Sequence, residues 1–208
     1  MSKKILGSMT RRFYQAIIKG YQEWRNSTQR VFDLRENSIT ATLMPYIQDA
    51  ARGVGGVVPY FTRESIIDTQ QIVRGLANPN TAPRTDFSII VNAQRMAIVE
   101  CKWVDRGTPS SNDIPQYVRE GIGRFIPGGR YHGMAATNIM LGYIHDINLV
   151  ATRVDDINTR VTSQLGSTYR LSHNGPVAGH QEAYQSTAAN ILQHFFMEVS
   201  QAHLGTAT

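Results

Sequence analysis

Three features of the chain predict an α/β protein with a mixed central sheet flanked by helices: helical apolar stripes in its first quarter, strand-length apolar runs in its middle, and an amphipathic segment separating the last two of those runs. With 208 residues it is long enough to bury a core without covalent staples. Cys101 is the only cysteine, which excludes an intramolecular disulfide and a multi-cysteine zinc site and fits a reducing compartment. No stretch approaches the roughly 18 consecutive apolar residues that cross a bilayer, and Lys3 and Lys4 lead into no secretory-type apolar segment. The expectation is a soluble, cytoplasmic protein with no membrane partner.

The elements follow in order. Over residues 9 to 25, Phe13, Ile17, Tyr21 and Trp24 fall on one stripe, with Tyr14 and Ile18 beside them, as an amphipathic helix requires. A second helix is predicted from Arg35 to Arg52, stopping at Gly53, with Pro45 expected to kink or divide it. Val57, Val58, Tyr60 and Phe61 read as a short strand. Ile66, Ile67, Ile72, Val73 and Leu76 suggest a short helix running into a loop rich in Pro and Asn. Residues 86 to 92 and 96 to 103 form a hairpin pattern. Residues 113 to 125 predict a helix, 138 to 144 a strand and 146 to 165 a helix. A short strand is expected at 169 to 172 and a C-terminal helix over 185 to 199.

Charge is concentrated at one end. Residues 1 to 35 carry Lys3, Lys4, Arg11, Arg12, Lys19, Arg25, Arg30 and Arg35 against Glu23 and Asp33, so the net +5 of the chain is an N-terminal feature. It suits phosphates or an acidic partner, and equally an ordinary solvated helix face. On this basis residues 1–34 are read as a basic helical extension and residues 35–208 as the main domain. The aromatic stripe of the extension is a packing face, or a contact for a second copy or a partner protein.

The segment that carries chemistry is Pro83-Arg84-Thr85-Asp86, followed after thirteen residues by Glu100-Cys101-Lys102. Along a strand side chains alternate, so Glu100 and Lys102 share a face and Cys101 takes the other. If Asp86 begins the preceding antiparallel strand, the hairpin brings it across from Glu100, and two carboxylates converge beside one ammonium. Carboxylate oxygens suit a hard dication such as Mg2+ or Mn2+. Such a cation acidifies bound water and offsets charge developing on phosphorus, and a placed ammonium orients the attacking water. A cation also explains how two carboxylates tolerate proximity. The competing reading is an exposed Glu-Lys pair on an edge strand, worth about 0 to 1 kcal/mol.

These residues resemble the PD-(D/E)xK superfamily of nucleases, the restriction-endonuclease-like fold. The resemblance covers residues from about Arg35 to Ile144 and implies an αβββαβ core, here with an extra N-terminal basic amphipathic helix and C-terminal helices. It implies Asp86 and Glu100 as metal ligands, the Cys101 carbonyl as a further ligand and Lys102 as the catalytic lysine. Glu36, near the start of the helix before the strands, matches an acid that some branches use for a second metal or a bridging water. Gln116 matches a glutamine that some branches carry after the lysine strand, although Glu120 stands where the RecB-like branch has Tyr. The proline lies three residues before Asp86 rather than next to it. The implied activity is Mg2+- or Mn2+-dependent hydrolysis of nucleic acid, DNA before RNA, in bacterial defence, restriction or repair. A non-catalytic binding module on the same fold and an RNA-directed nuclease are the alternatives.

Arg84, Arg119, Arg124 and Arg130 are candidate phosphate contacts, which position a backbone without reading sequence. The six histidines show no zinc-binding spacing, and only His145 is retained, as a substrate contact. No phosphate-binding glycine loop and no G-x-S-x-G nucleophile elbow occurs. The chain leaves little room for a separate sequence-reading domain, so specificity would come from substrate structure, self-association or a partner.

Overall fold

The computed structural model describes residues 3–27, 35–53, 60–63, 85–92, 94–108, 111–186 and 191–199. The strand predicted at Val57 and Val58, the helix predicted over 66–76, and Arg84 lie outside the described residues.

Seven strands form one mixed sheet in the order β1-β2-β3-β4-β7-β6-β5. They are β1 (Tyr60–Arg63), β2 (Phe87–Val91), β3 (Gln94–Asp105), β4 (Thr137–Ile144), β5 (Leu171–His173), β6 (Ala183–Ser186) and β7 (Leu192–Glu198). β3, β4 and β7 run parallel at the centre, and the pairs toward both edges are antiparallel. The β2–β3 hairpin matches the sequence pattern. Asn92 turns it with φ 50°, a left-handed value that Asn tolerates because its short side chain bonds locally.

Helices cover both faces. Helix α1 (Lys3–Arg25) buries Phe13, Ala16, Ile17, Ile18, Tyr21 and Trp24. Its apolar stripe joins α2 (Glu36–Gly53) and the odd-numbered β3 residues Ala97, Val99, Cys101 and Trp103 in one cluster. The basic N-terminal helix and the sheet therefore share a core, and the stripe faces inward rather than toward a partner. At their crossing the backbones touch, since a Cβ on Gly20 would lie 2.5 Å from Ile47 Cα. Pro45 does not divide α2, and its ring lies on the exposed side of the helix.

The opposite face carries α3 (Asp113–Gln116), which continues as a π turn (Tyr117–Gly121) and a 3-10 turn (Ile122–Arg124), together with α4 (Val150–Gln164). The segment 113–124 links parallel β3 to β4, as a crossover must. Its Tyr117, Val118 and Ile122 pack on Ile98, Val104 and Met140.

The predicted C-terminal helix over 185–199 is corrected: the segment is strands β6 and β7, and no C-terminal helix follows α4 among the described residues. The reason is burial on two sides. β7 lies between β4 and β6, with Phe195 and Met197 facing α1 and α2 and Leu192 and Phe196 facing the other layer. A strand apolar on both faces loses its alternation, and periodicity alone cannot separate it from a buried helix. Among the described residues, no helix is long and apolar enough to cross a membrane.

Candidate active site

The site forms where β3 outruns β2. Phe87 pairs with Val99, which sets Asp86, one residue earlier, opposite Glu100. Beyond that point no strand among the described residues pairs with this edge of β3, and carboxylates take its amides. Cys101 N–H donates to Asp86 Oδ2 at 2.5 Å, and Trp103 N–H donates to Glu36 Oε1 at 3.1 Å from the first turn of α2. Unpaired backbone donors inside a fold are costly, so both acids are fixed in place by the strand they cap.

Alternation along β3 does what the sequence implied. Cys101 packs in the α1/α2 cluster, while Glu100 and Lys102 point to the α3 layer. Lys102 Nζ lies 2.8 Å from Glu36 Oε2, 3.2 Å from Glu100 Oε1 and 3.1 Å from the Cys101 carbonyl oxygen. Glu100 is fully buried and is further engaged by the Arg124 guanidinium and by Tyr131 Oη, which donates to Oε2 at 3.1 Å. Arg124 also reaches Tyr131 Oη at 3.2 Å.

Burial dominates the protonation of this cluster. It pushes the Glu100 carboxyl up to about 7, the Asp86 charge adding to the rise while Lys102 and Arg124 pull it back. Asp86 is raised as well, chiefly by burial, against the pull of Lys102 and of the Cys101 amide. Lys102 moves up: burial works against its charge, but Glu100, Glu36 and Asp86 together prevail. The result is a firmly charged lysine beside two acids, Asp86 and Glu100, that bear their charge reluctantly.

The donor chemistry fits a hard dication. Asp86 and Glu100 supply carboxylate oxygens and Cys101 a carbonyl, all within the Lys102 environment, and neutralising two reluctant carboxylates is what such an ion does. Among the described residues no group of three or more His, Cys, Asp and Glu side chains is gathered as a cage. Magnesium characteristically takes one or two carboxylates, with waters and substrate phosphates completing its shell.

The other predicted residues divide. Glu36 joins the cluster, but both its oxygens are engaged, one by Lys102 and one by Trp103 N–H, which makes it the residue that positions Lys102. Gln116 lines a cleft with Glu36, Asn37, Arg35 and Arg106. Arg124, predicted as a phosphate contact, is drawn inward onto Glu100. Arg119 is exposed and paired with Glu120 at 2.7 Å. His145 Nδ1 lies 3.3 Å from Asp105 Oδ1. Tyr131 was not singled out by sequence. Its signal is the turn at Gly128 and Gly129, which returns the chain so that Tyr131 N–H donates to the Arg124 carbonyl at 2.7 Å. Gly129 has no room for a side chain there, a Cβ falling 2.3 Å from the Gly123 carbonyl oxygen.

Comparison with protein-family models, with curated proteins and with solved structures returned no match.

Proposed function

We propose that this chain is a metal-dependent phosphodiesterase of the PD-(D/E)xK type, hydrolysing nucleic acid, DNA before RNA. The observation that carries the reading is the placement of Asp86 opposite Glu100 at the end of β2, with Lys102 two residues on along the same face. The order α2, β1, β2, β3, α3, β4 adds support, being the helix, three strands, helix and strand that the resemblance implies.

Asp86, Glu100 and the Cys101 carbonyl would hold Mg2+ or Mn2+. The cation, when bound, lowers the pKa of water and offsets charge developing at phosphorus. Lys102, charged and steadied by Glu36, orients the attacking water and stabilises negative charge on the phosphoryl oxygens. Tyr131 and Arg124 hold the Glu100 carboxylate in one orientation. Gln116 lines the cleft beside Glu36, where it would contact substrate.

One observation favours a second reading, a nucleic-acid-binding module without turnover: Glu100 is already satisfied by Lys102, Arg124 and Tyr131, as in a purely structural ion network. Incubating the protein with plasmid, single-stranded DNA and RNA under Mg2+, Mn2+ or EDTA separates the two. The nuclease reading expects metal-dependent cleavage that EDTA abolishes and that Lys102→Ala reduces at least about a thousandfold with the fold retained. Cleavage surviving EDTA, or wild-type turnover in Lys102→Ala, rejects the mechanism.

A further inference from the structure

Glu100 meets its partners unequally. Lys102 Nζ and the Arg124 guanidinium both bear on Oε1, while Oε2 accepts from Tyr131 Oη. Lys102 has further anchors, since Glu36 Oε2 and the Cys101 carbonyl hold the same ammonium. Arg124 is held differently. Among the described residues its ion pair is with Glu100, and it also reaches Tyr131 Oη at 3.2 Å, with its guanidinium 5.6 Å from the centre of that ring. The Arg124 side chain is 23 % exposed against 10 % for Lys102, so of the two cations on Oε1 it is the one more open to solvent.

Charge balance decides which cation yields to an ion. Three carboxylates, Asp86, Glu100 and Glu36, gather around two cations, Lys102 and Arg124. In their charged forms the group carries one negative charge in excess. A dication added beside Asp86 and Glu100 turns this into one positive charge in excess, in a buried site where like charges repel strongly. Departure of one cation restores the balance. Lys102, bound by three oxygens, stays. Arg124 is anchored by its backbone, where Tyr131 N–H donates to its carbonyl, but its long side chain is free to turn. The exposed carboxylate of Glu120 already attracts it from outside the cluster.

We infer that Arg124 is the resident counter-ion of Glu100, holding the carboxylate in the metal-free protein and leaving Oε1 when a dication binds. This exchange rests on the reading of Asp86 and Glu100 as metal ligands. Tyr131 keeps Oε2 in both states, so the orientation of the carboxylate outlasts the departure of the arginine.

The test is Mn2+ binding in the absence of nucleic acid, followed by electron paramagnetic resonance of the free ion. Arg124→Gln should bind Mn2+ about tenfold more tightly than wild type, because no bound charge has to leave. Arg119→Gln removes one charge at the exposed Glu120 pair and should stay within about twofold, which separates exchange at Glu100 from a general change of field. A second measurement uses the wild-type protein and serves if Arg124→Gln fails to fold. In nuclear magnetic resonance, Mg2+ should move the Arg124 Nε–Hε signal toward the position of free arginine and leave that of Arg153, paired with Asp105 at 2.6 Å, unmoved. Mg2+ binding with an unmoved Arg124 signal overturns the exchange and leaves the metal site standing. So does a Mn2+ affinity in Arg124→Gln no higher than in wild type, or equal tightening in Arg119→Gln. Mn2+ binding in neither wild type nor Arg124→Gln, or undiminished binding in Glu100→Gln, removes the metal reading itself and the exchange with it.

Discussion

Glu100 concentrates the chemistry of this fold in one side chain, and its protonation gives a measurable sign. Burial and Asp86 raise its carboxyl to about 7 in the folded state, against 4.5 ordinarily. Below the ordinary value the group is protonated whether or not the chain is folded. As pH rises from there through 7, the unfolded chain releases its proton more readily than the folded one, so the folded state loses stability across that window. Glu100→Gln, which imitates the protonated acid, should remove this loss. The Tm difference should therefore move in favour of the variant between pH 5 and pH 8 in metal-free buffer, and parallel curves would refute the assignment. Adding Mg2+ at pH 8 should raise the wild-type Tm, corresponding to about 2.7 kcal/mol at a hundredfold excess over Kd, and should leave Glu100→Gln nearly unmoved. Equal shifts in both proteins would detach the ion from Glu100.

At the scale of the element, the irregular helix from Asp113 to Arg124 sets the roof over Lys102. Its π turn ends at Gly121, where a Cβ would lie 2.5 Å from Met140 Cε and 3.5 Å from Lys102 Cγ. The methionine end is flexible and can yield, so Gly121→Ala should cost only about 1 to 2 kcal/mol of stability. Against Lys102 the added methyl makes only ordinary van der Waals contact, and two carboxylates and a carbonyl go on holding the ammonium. Turnover should then stay within about threefold of wild type. A Tm collapse, or a loss of turnover of about tenfold or more, would show that the methionine cannot yield without moving the roof over Lys102. Arg124 ends this stretch and Tyr131 returns to it after the glycine turn, so the ceiling and the clamp on Glu100 are joined in one run of chain.

For the whole molecule, the decisive arrangement is the sharing of one core by α1, α2 and the sheet. Trp24, at the far end of α1, is 1 % exposed and lies among residues drawn from every one of those elements. Trp24→Ala should therefore destabilise the entire protein by about 3 to 5 kcal/mol, measured by denaturant unfolding as a single cooperative transition. If α1 were an independent extension, the variant would melt that helix alone and leave a second transition at the wild-type midpoint. Gly20 sits at the same interface, and its contact with the Ile47 backbone leaves no room for any side chain.

Much of this was legible from local pattern. The stripe of α1, the β2–β3 hairpin and the face shared by Glu100 and Lys102 follow from periods of 3.6 and 2.0, which depend only on backbone geometry. The C-terminal strands were not, because β7 buries residues on both faces, Gln193 and His194 among them, and its apolar positions keep no two-residue alternation to read. Nor was the inward turn of Arg124 or the arrival of Tyr131, since both depend on where a glycine turn returns the chain. The amino-acid sequence by itself determined which residues alternate and that Glu100 shares a face with Lys102. Only the folded sheet decided that the β2–β3 ladder ends at Phe87, the first residue of β2, and that Asp86 and Glu36 cap the β3 amides past it, gathering side chains that no local spacing relates.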